Sequence, residues 1–534
     1  MKKLILFALL IVSCFSCQKK MTVIPPKQIL RLNMADDAAA LDPRVVRRVK
    51  DLMLVRHLFD GLMRIDAQCK PQFAVAEDVA ISDDLLTYTF FLRECYWTNG
   101  DPVTAHDFVH SWKKTLDPKF ITDYAHMLYH IRNAERAHRG ESSLEDVGVV
   151  ALDDRTLVVT LEAPTPPFLE LTAFPTFFPV NKRIDEESTL WVNPPGRDFV
   201  SNGPFRLKQW IPDQEIILVR NETYWDKEHV YLDGLDISMV GDNNTESYLF
   251  SKGELDWLGQ PLSSNISTEL LGKLKEEGKL SSYAIDGTVW LNYNVEKEPF
   301  NNINIRKAFT LAINRSEIIQ YILQGSQKIA TTPIPPSMAM RQDPFFQDGG
   351  IEEAQVLFEK GMSEMGWSRE TFPQITLKYP PSERNTKIIQ YIQQTWQQTF
   401  DLQVDLCATE YQLYRAQCRQ GNCQVGTGEW IADYHDPISF LELFKYHNDS
   451  KTGSGMNNTN WENPKFISLL DRSTVEKNPA IRRALLKEAE ELLMEEMPIA
   501  PLYHHAFDYV KKDYVQDVVL SPLGGSDFKS ARIR

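Results

Sequence analysis

The sequence lacks any hydrophobic run long enough to span a membrane. Its most apolar stretch, Leu4 to Val12, has nine residues that would cover about 14 Å as a helix, whereas a bilayer core is ~30 Å thick. The run follows Met1-Lys2-Lys3, which is typical of the charged start of a secretory signal. We therefore predict that residues 1–16 hold a signal peptide and that the chain is exported.

Positive charge is also scarce in this chain. It has 58 lysines and arginines against 73 aspartates and glutamates, which gives a formal net charge of −15. No stripe of basic residues is interleaved with aromatic residues. Because an acidic surface repels phosphate backbones, these features exclude a protein that binds nucleic acid.

Cysteine is sparse as well. Seven cysteines occur in 534 residues, and no CxxC pair or Cys/His cluster has the spacing of a zinc site. The sequence therefore predicts neither a structural metal nor a cofactor. Export permits disulfides without deciding their pairing, and Cys418-x4-Cys423 is a candidate local bridge.

Two of the cysteines, Cys14 and Cys17, come at the end of the hydrophobic run. The pattern resembles a bacterial lipobox, in which the thiol takes diacylglycerol and becomes the new N-terminus. Cys14 fits the box better, whereas cleavage before Cys17 gives a signal of more usual length, and an ordinary cleaved signal is the alternative. We predict an exported protein that is lipid-anchored to a bacterial membrane and faces the periplasm or the cell exterior.

The length and patterning of the chain indicate several domains. About 520 exported residues exceed the ~250–300 at which a single core stops growing. Strand-like segments at Thr87–Arg93 and Thr156–Leu161 flank a helix that starts with the capping-box pair Thr104 and Asp107. Apolar spacing predicts further helices over residues 305–324, 351–365, 384–400 and 480–495. Strands and helices alternate along the chain, which indicates an α/β fold of several lobes.

One segment carries a candidate binding site: Trp430-Ile431-Ala432-Asp433-Tyr434-His435-Asp436-Pro437. An α-ammonium group needs a desolvated anion for a charge-assisted hydrogen bond. The faces of Trp430 and Tyr434 would exclude water and add cation–π attraction. The segment therefore predicts an amine-binding site centred on Asp433, and the alternative is a core strand end with a solvated aspartate.

Seven further segments occur together with this one in the order and at the separations of one known family. They are Leu41-Asp42-Pro43, Leu58 to Leu62, Trp97 to Phe108, Ser201 to Phe205, Tyr224-Trp225, Phe300 with Ile305 to Phe309, and Pro498 to Tyr503. On these motifs the chain resembles the extracellular solute-binding proteins of peptide ABC importers, the oligopeptide- and dipeptide-binding family (bacterial solute-binding family 5). The resemblance covers nearly the whole exported chain.

The resemblance implies an α/β fold of the type II periplasmic-binding-protein kind, in which two lobes close on a ligand about a hinge. An extra domain is inserted in the first lobe. The implied boundaries are residues 22–64, 196–295 and 506–534 for the first lobe, 65–195 for the extra domain and 296–505 for the second lobe. The resemblance also implies a monomeric binding protein, not an enzyme, that delivers a peptide ligand to the permease and ATPase subunits of an ABC importer.

The resemblance also assigns contacts by position, with Asp433 as the anchor of the α-ammonium group. The other assigned residues are Trp430, Glu429 and Ile431 for backbone groups, Val49 as a pairing residue of the first lobe, and Tyr124, Tyr411, Asn294 and His505 as pocket-lining residues. In the family, peptides are held as an added strand by main-chain hydrogen bonds while their side chains enter hydrated pockets. That mode explains tolerance of peptide sequence.

The chain departs from the family where the peptide's carboxyl end is bound. Positions that are basic in well-studied members are Thr427 and Asn385 here, and Arg47 stands where an acidic residue is usual. A buried unpaired carboxylate costs several kcal/mol, so a peptide C-terminus needs Arg419, another base or solvent. The departures leave room for longer, modified or non-α-linked peptides such as cell-wall fragments, and relatives of this fold also carry nickel chelates or haem.

An enzyme is the competing class. Ser111 to Lys114, Ser263-Ser264-Asn265 and Lys451-Thr452-Gly453 follow the order of serine acyl-transferase boxes, but the last lies in a turn-rich loop and not on a strand. The pairs His106/His110 and His126/His130 have the spacing of a helical zinc hydrolase site without its glutamate or an evident third ligand. His504-His505 more simply lines a cleft or a strand end.

Overall fold

The computed structural model describes residues 27–122, 124–188, 191–192, 199–263, 266–448 and 455–534. Helices and strands are mixed along these residues, so the predicted α/β class is confirmed. The signal segment with Cys14 and Cys17 lies outside the described residues. No helix within them is both long enough and apolar enough to cross a bilayer.

Remote segments of the chain, all within the predicted first lobe, pair in a four-stranded sheet. In spatial order its strands are Ile29–Met34, Gly234–Met239, Glu215–Arg220 and Phe205–Ile211. Ile29–Met34 pairs in parallel with Gly234–Met239, and its residues Leu30, Leu32 and Met34 alternate into the core. This pairing requires the chain to leave the sheet after the first strand and return much later.

The part of the chain between these two strands forms a second sheet. It is antiparallel, with strands Ala76–Ile81, Thr87–Leu92, Thr156–Thr160 and Val149–Asp153 in spatial order. Helix Ala105–Thr115 packs on it through the buried side chains of Phe108 and Trp112. Thr104 and Asp107 form the predicted capping box at the helix start. The strands and the helix predicted in this region are therefore confirmed.

The largest of the described sheets is built on two long antiparallel strands, Ser281–Tyr293 and Ile499–Lys511, each of 13 residues. Its other strands are Trp257–Gly259, Lys328–Ile329, Val425–Ile431, Ile375–Tyr379 and Val404–Ala408. Nearly all residues of Ile499–Lys511 are buried. The predicted boundary between residues 505 and 506 falls inside this strand, so the strand runs through both predicted lobes.

Three helices, Ile303–Leu311, Ile351–Met365 and Glu383–Phe400, surround the core of the second lobe. The rings of Phe309 and Phe400 stack with centroids 4.8 Å apart in that core. The helices predicted over residues 351–365, 384–400 and 480–495 are confirmed to within a residue at either end.

The single helix predicted over residues 305–324 is wrong in its second half. The α-helix ends at Leu311, and Arg315–Glu317 leads into a π-helical segment, Ile318–Leu323. The Asn314 side chain accepts a hydrogen bond from a backbone N–H of the next turn. Because this cap competes with continued helical hydrogen bonding, the chain restarts there in a new direction.

Shorter elements complete the described chain. The remaining α-helices are Val49–Leu58, Ala134–His138, Phe168–Leu171, Lys182–Glu187, Asn243–Lys252, Thr268–Glu276, Tyr411–Arg419, Ile438–Leu441, Pro464–Val475 and Pro479–Glu496, and the short strand pairs are Met63–Ile65 with Pro71–Phe73, Val515–Gln516 with Arg532–Ile533, and Val519–Leu520 with Ser526–Asp527. The predicted local bridge is confirmed, because Cys418 and Cys423 form a disulfide.

A buried ion-pair cluster joins the segment at residues 42–44 to the helix Lys182–Glu187, which belong to the predicted first lobe and the predicted extra domain. The buried guanidinium of Arg44 donates to Asp42 at 2.7 Å and to Asp185 at 2.8 Å. His110 and Trp191 lie 2.7 and 2.8 Å from the Asp185 carboxylate. Although burial opposes its ionisation, these hydrogen bonds hold the pKa of Asp185 well below its usual range.

We expect Arg44→Met to lower the free energy of unfolding by about 3–5 kcal/mol, because it leaves two buried carboxylates without their cation. Urea or thermal unfolding of the purified protein measures the change. Arg183→Met is the matched control, since Arg183 pairs with exposed acidic side chains and such pairs contribute little. A loss no larger than that of the control would show that the cluster does not stabilise the domain junction.

Candidate functional site

A cavity of about 800 Å³ lies between the first-lobe segment at residues 45–51, the helix Tyr411–Arg419 and the strand Val425–Ile431. Its volume is in the range of ligand sites, roughly 300–1,000 Å³. We call Val425–Ile431 the anchor strand and Tyr411–Arg419 the cavity helix. These two elements carry four of the nine predicted contact residues, Glu429, Trp430, Ile431 and Tyr411.

The anchor strand presents an open backbone edge to the cavity. One of its edges pairs with Ser281–Tyr293 along the whole strand. The other edge pairs with Ile375–Tyr379 only at Val425 and Gly426. From residue 427 to residue 431, no strand of the described residues pairs with this edge. The Thr427 carbonyl accepts a hydrogen bond from the Tyr414 hydroxyl, and the other backbone groups of the edge stay unpaired within the sheet. An extended chain that enters the cavity finds these groups in position for strand pairing.

Asp433 lines the cavity two residues beyond the anchor strand. No donor in the described part of the chain forms a hydrogen bond with its carboxylate. Burial, with the nearby Glu442 as a second cause, raises the pKa of Asp433 to about 7. Burial raises the pKa of Glu442 to about 7 as well, and the Tyr434 hydroxyl donates to it at 3.0 Å. A partly buried carboxyl without a partner favours a ligand cation that supplies the missing charge.

Aromatic side chains line the cavity at three of the positions that the sequence analysis selected. Trp430, Tyr124 and Tyr411 all line it. The indole N–H of Trp430 donates to a serine hydroxyl at 3.4 Å, and Tyr411 is 53% exposed at the start of the cavity helix. Tyr434, which the sequence placed beside the amine, is instead buried and is not among the lining residues. Its hydroxyl donates a hydrogen bond to the carboxyl group of Glu442, which lies near Asp433, and not to a ligand.

A second cavity of about 330 Å³ adjoins the anchor strand. Val49 and His505 line it, and Glu429 and Ile431 line both cavities. His505 Nε2 lies 2.8 Å from Glu429 Oε1. Burial opposes ionisation of Glu429, but the charge of the His505 imidazole lowers the pKa of this carboxyl. Because the two cavities share residues of the anchor strand, a chain that lies along the strand reaches both.

Asn294 lies apart from the other predicted contacts. It is buried, and its side-chain amide donates to the carbonyls of Gly421 and Cys423 at 3.2 and 3.1 Å. It is not among the described residues that line either cavity. Its geometry favours a role in supporting the disulfide loop that precedes the anchor strand, so we leave Asn294 out of the proposed contacts.

Two arginines that the sequence analysis did not select belong to the cavity wall. Arg415 lies one turn from Arg419 and one turn from Tyr411 on the cavity helix, and all three line the cavity. Arg48 lines it from the first lobe and pairs with Asp51 at 2.7 Å. The i, i+4 spacing of Arg415 with Arg419 and Tyr411 on a short amphipathic helix is the sequence signal that could have identified Arg415.

The residues of the enzymatic alternatives have structural partners. Ser111 is fully buried, and its hydroxyl donates to a backbone carbonyl at 2.8 Å. His106 and His110 lie nearest to two different aspartates, at 3.6 and 2.7 Å. Burial lowers the pKa of His130 to about 4, and the ring of His126 stacks on Tyr124. Ser264, Asn265 and Lys451 to Gly453 lie outside the described residues.

Comparison with known proteins gives consistent matches over nearly the whole chain. The family described as bacterial extracellular solute-binding proteins, family 5 Middle, matches residues 70–452. The oligopeptide-binding protein OppA of Bacillus subtilis is 39% identical over 510 residues, which cover 95% of this chain and 92% of OppA. The dipeptide-binding protein DppE of the same organism is 34% identical, with 95% and 92% covered.

A solved structure agrees in fold. The murein tripeptide binding protein MppA of Escherichia coli matches with a TM-score of 0.81 at 27% identity, over 96% of this chain and 99% of MppA. The matched family covers more than half of the chain, and the two relatives match it almost from end to end. The chain therefore belongs to the bacterial extracellular solute-binding proteins of family 5.

Proposed function

We propose that this chain is the extracytoplasmic binding component of a peptide ABC importer, which captures an oligopeptide between its lobes and delivers it to a membrane permease. The observation that carries the proposal is the open edge of the anchor strand, which ends two residues before the unpartnered carboxylate of Asp433. The similarity to proteins named for oligopeptide and dipeptide binding supports it. Members of this family bind solutes and are not enzymes.

In this proposal, the peptide adds a strand to the open edge. Main-chain hydrogen bonds along residues 427–431 are common to all peptides and supply affinity without reading side chains. Asp433 fixes the register by pairing with the α-ammonium group. Successive side chains of a strand point to opposite sides, so they alternate between the sides of the added strand. Water in the cavities satisfies polar side chains, which allows many sequences to bind.

Closure of the lobes completes the proposed mechanism. Lys477, in the second predicted lobe, donates to the Asp83 carbonyl of the extra domain at 2.7 Å. A contact of this kind exists only when the lobes are together. A bound peptide shifts the population towards that arrangement because it touches both lobes only there. We propose that a monomer in this closed form is what the permease and its ATPase subunits receive.

The variant Asp433→Asn is expected to weaken binding of a peptide with a free α-amino group by about 30- to 1,000-fold, or roughly 2–4 kcal/mol, because the ammonium loses its desolvated charge partner. Titration calorimetry with a tripeptide measures the change. Acetylating the peptide's amino group is expected to weaken its binding to the native protein and to cancel the difference between native protein and variant.

The matched control for this experiment is Asp405→Asn. It makes the same change of charge at an exposed position on the strand Val404–Ala408, outside the cavity. The control is expected to bind like the native protein. Unchanged affinity of Asp433→Asn for the free peptide would contradict the amine-anchor assignment.

We propose that the peptide's carboxyl end lies against the cavity helix. Thr427 and Asn385 line the cavity but supply no cation, whereas Arg415 and Arg419 line it from successive turns. A guanidinium presents paired N–H donors in the geometry that a carboxylate accepts. The arginines of the cavity helix thus take the place of the basic residues that the family carries elsewhere.

Arg415→Gln is expected to weaken binding of a free-acid peptide about tenfold, which corresponds to ~1.5 kcal/mol. This is the lower end of the range for a hydrogen bond to a charged group, and we expect the lower end because Arg415 is partly exposed. A C-terminally amidated peptide is expected to lose little. Calorimetric titration of both peptides gives the comparison, with Arg472→Gln on the exposed side of helix Pro464–Val475 as the control. Equal losses for the acid and the amide would contradict this placement.

A murein peptide is the second candidate ligand. Besides Arg48, whose charge Asp51 offsets, Arg47, Arg415 and Arg419 line the cavity, and their positive charge favours a ligand with more than one carboxylate. The shared fold with a protein named for murein tripeptide binding adds support. The same titrations with a muropeptide stem separate the candidates: binding of ordinary tri- to pentapeptides without any response to the stem would exclude this ligand.

The proposal also includes a lipid anchor on Cys14 or Cys17. Replacing both with serine is expected to move the protein from the membrane fraction to the soluble fraction, because a single acylated cysteine would hold it at the membrane. Fractionation of cells with immunoblotting measures this, and the two single variants identify the acylated residue. Cys407→Ser is the control. A double variant that stays in the membrane fraction would contradict the lipid anchor.

A further inference from the structure

Three potential metal ligands from remote parts of the sequence meet outside the peptide cavity. Cys69, Asp286 and His435 each offer one ligand atom, and these atoms lie within 4.8 Å of one another. Cys69 and Asp286 are buried, and His435 is partly buried. His435 Nδ1 is 2.6 Å from Asp286 Oδ2. None of the three is among the residues that line the two cavities described above.

Cys69 occupies an unusual backbone position for its residue type. It ends the turn between the short strands Met63–Ile65 and Pro71–Phe73, and its φ is 57°. This left-handed conformation after a tight turn is one that glycine or asparagine usually fills. A free cysteine there directs a thiol from a rigid hairpin into the cluster.

The other two proposed ligands, Asp286 and His435, are positioned by a strand and a turn. Asp286 belongs to the long strand Ser281–Tyr293, at the irregularity in its pairing between Ala284 and Thr288. The hydroxyl of Ser337 donates to the second oxygen of its carboxylate. Such a hydrogen bond from outside the cluster orients a carboxylate ligand. His435 is fixed by the turn that also places Asp433.

The surroundings of the cluster favour positive charge. The Asp286 carboxylate, which lies 2.6 Å from the His435 ring, places an acidic group at the cluster. The carboxyl group of Glu170 is a second acidic group beside His435. The Oε2 atom of Glu170 is buried and has no hydrogen-bond partner among the described residues. These two acidic groups favour the binding of a cation at the cluster.

We propose that Cys69, Asp286 and His435 bind a zinc ion or a similar thiophilic divalent cation, with water as the fourth ligand. One sulfur, one nitrogen and one oxygen ligand form a set that zinc accepts. Tetrahedral bonds of about 2.0–2.3 Å separate ligand atoms by roughly 3.5 Å, so small side-chain rotations suffice. Binding releases the thiol proton of Cys69 and the imidazolium proton of His435 to solvent.

The position of the site links it to lobe closure. In the predicted division, Cys69 belongs to the extra domain, Asp286 to the first lobe and His435 to the second lobe. An ion bound to all three ties these parts together in the arrangement of the present structure. The ion binds this arrangement better than an open one, so it also stabilises the protein against unfolding and opening.

Cobalt(II) titration of the purified mature protein tests the site, because cobalt replaces zinc in tetrahedral sites and a thiolate ligand gives it a near-ultraviolet charge-transfer band. The expected result is saturation at one ion per chain, with displacement by zinc. Cys69→Ser is expected to abolish the band, and His435→Gln to weaken cobalt binding at least about tenfold. Zinc is expected to raise the thermal unfolding midpoint of the native protein but not of Cys69→Ser.

Cys407→Ser, which removes a free thiol elsewhere, is the matched control and is expected to keep the band. Circular dichroism of the metal-free variants checks that they fold, and His435→Gln decides the question if Cys69→Ser does not. The absence of a thiolate band in the reduced native protein would overturn the proposal and leave a hydrogen-bonded triad. A band that persists in both variants would overturn it too, since the ion would then bind elsewhere.

Discussion

The antiparallel pairing of Ser281–Tyr293 with Ile499–Lys511 holds the two predicted lobes in one sheet. The position of the binding site follows from this pairing, because the anchor strand is hydrogen-bonded to Ser281–Tyr293 along its full length. Val49, from the helix Val49–Leu58, and His505, from the strand Ile499–Lys511, both line the second cavity. A shift in the register of the long strands would move the anchor strand, and Asp433 with it, relative to the first lobe.

Two kinds of buried charge serve different purposes in this molecule. The cluster around Arg44 pairs every charge internally, which suits a junction that has to stay fixed. Asp433 has no hydrogen-bond partner among the described residues, and burial, with the nearby Glu442 as a second cause, raises the pKa of this carboxyl. In the proposed complex the ammonium group of the ligand pairs with this carboxylate, so stability given up at Asp433 becomes available as binding free energy.

Local patterns predicted local structure well. The capping box at Thr104, the helix Ile351–Met365 and the bridge between Cys418 and Cys423 depend on residues close in sequence, and each formed as expected. The helix over residues 305–324 failed because Asn314 forms a cap that apolar spacing does not reveal. The motif around Asp433 predicted the lining of the main cavity by Trp430 and Asp433.

Residues whose roles depend on remote partners were harder to predict. Asn294 and Tyr434 have the chemistry of ligand contacts, but tertiary packing turns both towards other parts of the protein. Cys69, Asp286 and His435 are separated by 217 and 149 positions in the sequence, so spacing rules for metal ligands cannot find them. Only the pairing of distant strands brings such groups together.

The open edge of the anchor strand has one more consequence, for the behaviour of the protein at high concentration. Unpaired strand edges on a surface template the aggregation of other chains, and proteins usually block them with charge or proline. Here the edge is recessed in a cavity, where the sheet of a folded neighbour is too thick to reach it. Because the edge is recessed, a single extended chain can pair with it. A folded second copy of the protein cannot reach the same hydrogen-bonding groups, so the copies do not polymerise through this edge.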